Sequence, residues 1–187
     1  MGLVSKIQQL SGLSSEAAIW LGRALEEFTF KKNETVLKEG KVCSYLYYIN
    51  RGMMAGYYHL QDQEVCNWFA LENDFATSYY SFITRQPSYE IITCTENTSV
   101  QAISYSKLNE LYHLFPETER AGRLILEDYY SRLEERLISI QFKSARERYL
   151  NLLKKRPEII QRAPLGRIAS YLGMKQETLS RIRADKE

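Results

Sequence analysis

The spacing of apolar residues divides the chain into a helical beginning, a β-rich middle and a helical end. In the first 27 residues Ala17, Leu21 and Leu25 recur at helical spacing, and the Ser14 hydroxyl can cap their helix. These residues are predicted to form helices that serve as scaffold.

In the middle of the chain, short apolar runs alternate with residues typical of turns. Strands are predicted at 28–30, 35–37, 45–49, 56–58, 65–69, 90–94 and 99–103, with a polar turn at 61–63. Short strands at fairly regular intervals are typical of a barrel, a sandwich or a roll. The pattern alone leaves these three open.

A long helix is predicted after the last strand. It follows a shorter helix over 107–114, which Ser106 can cap, and Pro116 stands where a first helical turn tolerates proline. Five apolar residues of the long helix are spaced by 4, 3, 4 and 3 positions: Leu126, Tyr130, Leu133, Leu137 and Ile140. This heptad alternation indicates a seam against a partner helix, or an apolar face packed on the same chain.

The end of the chain predicts a pair of short helices joined by a tight turn. A helix over 144–155 stops at Arg156-Pro157, and helices follow over 165–172 and from about Lys175. Gly173 supplies the turn between them. The apolar residues of the two short helices fall on their inner faces: Ile168, Ala169, Leu172, Leu179 and Ile182.

The outer face of the last helix has side chains that suit DNA, namely Lys175, Gln176, Glu177, Thr178, Ser180, Arg181 and Arg183. Arg can bind guanine through two hydrogen bonds, Gln can bind adenine, and Glu can accept from the cytosine amino group. We interpret Gln176, Glu177 and Arg181 as base-reading residues. Lys175 and Arg183 are interpreted as phosphate contacts that fix register. An ordinary helical hairpin has the same spacing and remains an alternative.

The distribution of charge supports the DNA-binding interpretation. Residues 1–140 contain 13 Lys and Arg against 18 Asp and Glu, a net charge of −5, whereas residues 141–187 contain 12 against 5, a net charge of +7. Such an asymmetry is expected when one end of a chain meets a polyanion. A solvated basic face would give the same count.

Composition narrows the class of protein. Hydrophobic residues make up 44% and charged residues 26%, as in folded globular proteins. No apolar run approaches the roughly 20 residues that span a bilayer, and the first ten residues are too polar for a signal peptide, so we expect a cytoplasmic protein without membrane contact. Cys43, Cys66 and Cys94 are far apart and are read as buried free thiols.

Neither an enzyme nor a cofactor is predicted. The chain has only two histidines, His59 and His113, which argues against the clustered histidines of a cupin-type metal enzyme and offers little support for haem. No nucleophile elbow, P-loop or dinucleotide fingerprint occurs, and no cysteine precedes Cys43 to hold an iron–sulfur cluster. We therefore expect no catalytic residues, no metal and no cofactor.

The segment IASYLGMKQETLSRIR resembles the helix-turn-helix signature of the Crp/Fnr superfamily of transcription regulators, and YLYYINRGMMAGYY and ENDFATSYYSF extend the resemblance over most of the chain. The resemblance implies an α+β fold: an antiparallel β-roll of the jelly-roll type with flanking helices, a long dimerisation helix, and a helix-turn-helix domain with a reduced or absent wing. The implied boundaries are 1–116 for a cyclic-nucleotide-binding-like sensor, 117–143 for the dimerisation helix and 144–187 for the DNA-binding domain.

The resemblance also implies a function and partners. A member of this superfamily acts as a homodimer on a palindromic site in double-stranded DNA, with RNA polymerase as a further candidate partner. The family commonly presents Arg-Glu-Thr and a later Arg on the reading helix, where this chain has Gln176-Glu177-Thr178 and Arg181. The Gln at the first position predicts an altered half-site.

The sensor departs from the family at its phosphate-binding cassette. The family holds a cyclic nucleotide with a Gly-Glu pair and a downstream Arg-Ser/Thr-Ala, where this chain has Thr77-Ser78 and Ser88-Tyr89-Glu90. Burying a cyclic phosphate without a cation is unfavourable, so no response to cyclic AMP is expected. Arg85, which is nearby in sequence, is the alternative cation for this role. The candidate effector pocket, for an unknown small molecule or for none, comprises Asp74, Thr77, Ser78, Arg85, Ser88 and Tyr89.

A second function remains open at this point. The same sequence could specify a degenerate cyclic-nucleotide-binding-like module that binds proteins and has no DNA-binding activity.

Overall fold

A computed structural model describes residues 2–61 and 63–185 of the chain. Asp62, in the predicted turn over 61–63, lies outside the described residues. So do Met1, Lys186 and Glu187, at the outer limits of the predicted sensor and DNA-binding domains.

Two helices begin the fold, α1 at Leu3–Ser11 and α2 at Ser15–Ala24. The Ser14 hydroxyl accepts a hydrogen bond from the Ala17 N–H at 3.2 Å, so the predicted cap is confirmed. The helical region ends short of the predicted residue 27 because Glu26 already begins a strand.

The β-rich middle forms an antiparallel roll. The described strands are β1 Glu26–Phe30, β2 Thr35–Leu37, β3 Tyr45–Arg51, β4 Met54–Leu60, β5 Gln63–Ala70, β6 Phe75–Ala76, β7 Ile91–Cys94 and β8 Thr98–Ser104. They build two four-stranded sheets, in the orders β1-β8-β3-β6 and β2-β7-β4-β5. This arrangement confirms the predicted roll. Strand β6 and the helix α3, Tyr79–Thr84, lie where no element was predicted.

The main hydrophobic core lies between the two sheets. Tyr48, Ile49 and Ile92 have no measurable exposure there. Trp68 lies directly over Gly56 on the neighbouring strand, and a Cβ at position 56 would stand 2.2 Å from the indole. The close packing of β4 on β5 therefore requires glycine at this position.

The helices after the roll are α4 Tyr105–Leu114, α5 Glu119–Phe142, α6 Ala145–Lys155, α7 Pro157–Arg162, α8 Leu165–Tyr171 and α9 Gln176–Ala184. Pro116 begins a short 3-10 helix between α4 and α5. Helix α5 has 24 residues, and no helix in the described ranges is long and apolar enough to cross a membrane.

Local sequence explains where these helices begin. The Ser104 hydroxyl, rather than the predicted Ser106, caps α4 by accepting from the Lys107 N–H. Ser144 and Glu147 form a reciprocal capping box at the start of α6. Pro157 was expected only to interrupt the chain, but it also begins α7, because the first turn of a helix does not need its N–H.

A second core joins the C-terminal helices to the roll. Its roll side comprises Met53, Ala55, Cys66, Phe69 and Leu71. Its helical side comprises Tyr149, Leu152, Ile159, Ile168, Ala169, Leu172, Leu179 and Ile182. Helix α8 therefore packs on β5, and α6, α7 and α9 complete this core around it.

The three cysteines are buried and free, as predicted. Burial raises the pKa of Cys66 to about 12 and the pKa of Cys94 to about 11. These two thiols therefore remain protonated near neutral pH and pack as small apolar groups.

Candidate nucleic-acid interface

Helices α8 and α9 form the helix-turn-helix. Gly173 turns the chain with a φ of 63°, and the Met174 N–H donates to the Ala169 carbonyl at 3.0 Å. The residues predicted to face inward are all buried: Ile168, Ala169, Leu172, Leu179 and Ile182. The predicted pair of helices and its turn are confirmed.

Arg148 of α6 holds this turn from behind. Its Nε donates to the Leu172 carbonyl at 2.7 Å, its Nη2 to the Gly173 carbonyl at 3.2 Å, and its Nη1 to the Lys143 carbonyl at 2.6 Å. Sequence reasoning did not identify this residue, because a contact across 25 positions leaves no local pattern. Arg148 fixes the turn relative to the end of α5.

The outer face of α9 is free. Six of the seven predicted DNA-binding residues are exposed, namely Lys175, Gln176, Glu177, Ser180, Arg181 and Arg183, and Thr178 is half-buried. Within residues 2–61 and 63–185, none of these seven side chains makes a hydrogen bond or an ion pair. Glu177 and Arg181 lie one helical turn apart and share a face. The structure therefore brings the predicted reading residues together on one unpartnered surface.

Three other cations of the C-terminal part face the roll and are paired. Arg162 of α7 pairs with Glu72 and Glu96, while Arg156 pairs with Asp74. Arg167 of α8 donates to the Glu64 carboxylate at 3.1 Å. A part of the +7 charge therefore serves to dock α7 and α8 on the roll.

Polar contacts complete this docking. The Ser170 hydroxyl donates to the Glu64 carbonyl and accepts from the Cys66 N–H, both at 2.9 Å. Arg136 of α5 donates to the carbonyls of Cys66 at 3.1 Å and of Tyr171 at 3.3 Å. One arginine therefore connects the long helix, the roll and the helix-turn-helix.

The predicted seam of α5 is uncovered along most of its length. Leu126, Tyr130, Leu133 and Leu137 are exposed by 42%, 62%, 40% and 55%. Ile140 differs because it is half-buried beside the turn, with its Cγ1 3.6 Å from the position that a Cβ on Gly173 would take. Four seam residues therefore leave much of their apolar surface uncovered by their own chain.

The candidate effector residues divide into two groups. Thr77, Ser78 and Ser88 are buried together: the hydroxyls of Ser78 and Ser88 are 2.9 Å apart, and the Thr77 hydroxyl donates to the Tyr45 carbonyl at 3.0 Å. Each of the three hydroxyls therefore has a hydrogen-bond partner within the chain. None of the three is a cation that could hold a phosphate.

The remaining three candidates have partners outside this group. Asp74 pairs with Arg132 and Arg156 and so connects the roll to α5 and α6. Arg85 donates to the Cys43 carbonyl at 2.6 Å. Tyr89 is exposed, and its ring centroid lies 5.1 Å from that of Tyr80. The six residues therefore do not converge on one pocket.

Glu90 occupies the inner side of the cassette. Its carboxylate accepts from the Asn67 amide at 2.9 Å and from the Trp68 indole N–H at 3.2 Å. Burial raises the pKa of Glu90 above its ordinary value. A buried acidic group therefore stands close to where the resemblance would require an arginine.

Comparison with known proteins adds solved structures of the same fold. No family model matches the chain, and no curated protein matches its sequence. FixK2 from Bradyrhizobium japonicum is 23% identical, with 86% of this chain and 83% of that chain covered at a TM-score of 0.72.

Two further structures extend the comparison over more of this chain. The c-di-GMP-responsive global regulator CLP from Xanthomonas campestris is 19% identical, with 92% of this chain and 93% of that chain covered and a TM-score of 0.72. A CooA mutant from Carboxydothermus hydrogenoformans is 16% identical, with 99% and 84% covered and a TM-score of 0.70. The chain therefore has the fold of the Crp/Fnr regulators, in which a β-roll is followed by a long helix and a helix-turn-helix.

Proposed function

We propose that the protein is a sequence-specific DNA-binding transcription regulator of the Crp/Fnr type with no enzymatic activity. The observation that carries this proposal is the free polar face of α9, presented beside a turn that Arg148 fixes. A helix whose inner face is buried and whose outer donors are unpaired suits a major groove. The fold shared with regulators such as CLP supports the same function.

A homodimer is part of this proposal. The exposed Leu126, Tyr130, Leu133 and Leu137 form a stripe that a second copy of α5 would cover. A two-fold dimer presents two reading helices about 34 Å apart, one turn of duplex DNA, which demands inverted half-sites. We accordingly expect a palindromic operator, a cytoplasmic location and RNA polymerase as a candidate partner.

We further propose that cyclic AMP is not the effector. The hydroxyls of Ser78 and Ser88 form a hydrogen bond with each other at the positions where the resemblance requires an acid and an arginine. The nearby carboxylate of Glu90 would repel a phosphate. Titration calorimetry with micromolar cyclic AMP should show no saturable binding. Saturable binding would overturn this part of the proposal and leave the DNA-binding part intact.

A salt-dependent binding assay tests DNA binding against the alternative of a pure protein-interaction module. The affinity for duplex DNA should fall steeply as the salt concentration rises. The reason is that Lys and Arg side chains displace counterions from the DNA phosphates, and added salt opposes this release. The double variant Arg181→Ala/Arg183→Ala should bind weakly and with a smaller salt slope. The charge-matched control Arg23→Ala/Arg120→Ala, which changes exposed residues on α2 and α5, should bind like the wild type. Equal binding by both doubles, or no binding by the wild type, would favour the protein-interaction module.

A further inference from the structure

A cavity of about 240 Å³ lies where the N-terminal helices, the roll and the long helix meet. It is separate from the buried hydroxyls of Thr77, Ser78 and Ser88, none of which lines it. The adjoining cavity between the roll and α5 has charged side chains, Asp74 and Arg132, in its wall. The chemistry of its lining therefore distinguishes the 240 Å³ cavity from its neighbour.

The wall of this cavity contains no charged side chain among the described residues. Aliphatic and aromatic groups from α1, α2, α3, α4, α5 and the sheet of β3 and β8 provide it, for example Ile7, Leu46, Phe82, Leu108 and Ile125. An ion would lose its hydration here without gaining a partner. The lining selects for an uncharged ligand.

A few neutral polar groups interrupt the apolar wall. The hydroxyls of Tyr79, Tyr105 and Tyr112 have no hydrogen-bond partner among the described residues. Burial raises the pKa of Tyr112 to about 12, so its phenol stays neutral and able to donate. A ligand with one hydroxyl could be bonded within the cavity.

The size of the cavity sets the size of the ligand. Protein interiors are otherwise close-packed, and an unfilled apolar cavity lowers stability in proportion to its volume. An engineered apolar cavity of about 150 Å³ in another protein holds benzene. Scaling six carbons by the ratio of the volumes gives about ten carbons for a cavity of 240 Å³.

The cavity has a mouth between α3 and α5, where Ile83 and Leu126 are exposed by 55% and 42%. A ligand can therefore enter without unfolding of the core. Leu126 is also the first residue of the seam, and Gly122 and Ile125 bring two further positions of α5 to the wall.

We propose that this cavity binds a small uncharged apolar molecule of about two fused rings in size, with at most one hydroxyl. The proposal concerns binding to the roll and its helices and does not depend on the DNA-binding function.

Titration calorimetry on the full chain tests the proposal with two probes that share a ring system. The probe 1-naphthol should bind saturably, and naphthalene-1-sulfonate should not bind, because its permanent charge has no partner in the wall. Failure of 1-naphthol to bind, or equal binding of the sulfonate, would overturn the proposal.

Variants on one helix locate the binding site. Leu108→Trp fills the cavity and should weaken 1-naphthol binding at least ten-fold, whereas Leu114→Trp, on the same helix but outside the wall, should leave it unchanged. Ile83→Trp narrows the mouth from an exposed position and should also weaken binding, which keeps the test decisive if Leu108→Trp does not fold. Undiminished binding in both Leu108→Trp and Ile83→Trp would place the probe elsewhere and contradict the proposal.

Discussion

Arg162 and Glu72 form an end-on bidentate pair, with Nη1 to Oε2 and Nη2 to Oε1 both at 2.9 Å. The same carboxylate accepts the Gly52 N–H at 2.7 Å. One ion pair therefore joins α7 to the turns that follow β3 and β5. The hydrogen bonds from Arg162 lower the pKa of Glu72 to about 2.

The first prediction concerns this ion pair. Arg162→Met removes the cation and leaves the half-buried carboxylates of Glu72 and Glu96 without their partner. The free energy of unfolding, measured in urea, should therefore fall by about 1–3 kcal/mol. Amide exchange in α7 and α8 should become faster. Arg183→Met alters an exposed residue that has no ion pair within residues 2–61 and 63–185, and its free energy of unfolding should stay within about 0.5 kcal/mol of the wild-type value. Equal stability of the two variants would show that the pair does not dock α7.

The second prediction concerns the pH dependence that Glu90 causes. Burial raises its pKa above the ordinary value of 4.5, so the folded protein binds this proton more tightly than the unfolded chain. Stability from this group is present below pH 4.5 and is lost as pH rises through the raised pKa. Glu90→Gln keeps an acceptor for Asn67 and Trp68 and should melt higher than the wild type above that pKa, with no difference below 4.5.

Glu72→Gln is the matched contrast, because the pKa of Glu72 is lowered. Stability from this group is present above pH 4.5 and is lost as pH falls toward 2. This variant should therefore melt lower than the wild type at neutral pH and approach it in acid. If Glu90→Gln melted at or below the temperature of the wild type at neutral pH, the protonation assigned to Glu90 would be wrong.

Much of the fold could be predicted from local sequence. The exceptions are places where one local pattern fits two structures. The cap at Ser14 and the turn at Gly173 depend on neighbouring residues, and both are confirmed. Helix α7 was not predicted, because Pro157 was read as a stop although proline can also begin a helix. Ser104 and Ser106 lie two residues apart and suit a cap equally well on pattern.

The functional surface could be predicted only in part. The outer face of α9 follows from helical periodicity, since Leu179 and Ile182 fix which side is buried. The charge count did not reveal that Arg156 and Arg162 pair with the roll, because their partners are 82 and 90 positions away. Charge totals count cations without showing which of them are free.

The third prediction concerns the seam of α5. Leu133→Asp/Leu137→Asp would place like charges face to face across a two-fold interface, and the protein should become monomeric in sedimentation. The control Ser131→Asp/Ile138→Asp adds the same charge at exposed positions one heptad apart on another face and should remain dimeric. A dimer that survives in the seam variant would exclude this helix as the interface.

The fourth prediction separates base reading from phosphate binding on α9. Arg181→Ala should weaken the free energy of binding to the preferred site by about 1–3 kcal/mol and relax discrimination at one base position per half-site. Lys175→Ala should weaken binding to all DNA sequences by a similar factor and make the affinity less dependent on salt concentration. Competition binding of both variants against matched and mutated sites measures the difference.

Selection of bound sequences from a random pool of duplex DNA tests sequence-specific recognition most directly. The wild type should enrich an inverted repeat whose half-sites lie about one helical turn apart. Arg181→Ala should enrich the same repeat with one position per half-site degenerate. A pool without an inverted repeat, or an identical consensus from the wild type and Arg181→Ala, would contradict the assignment of α9 as the helix that reads DNA.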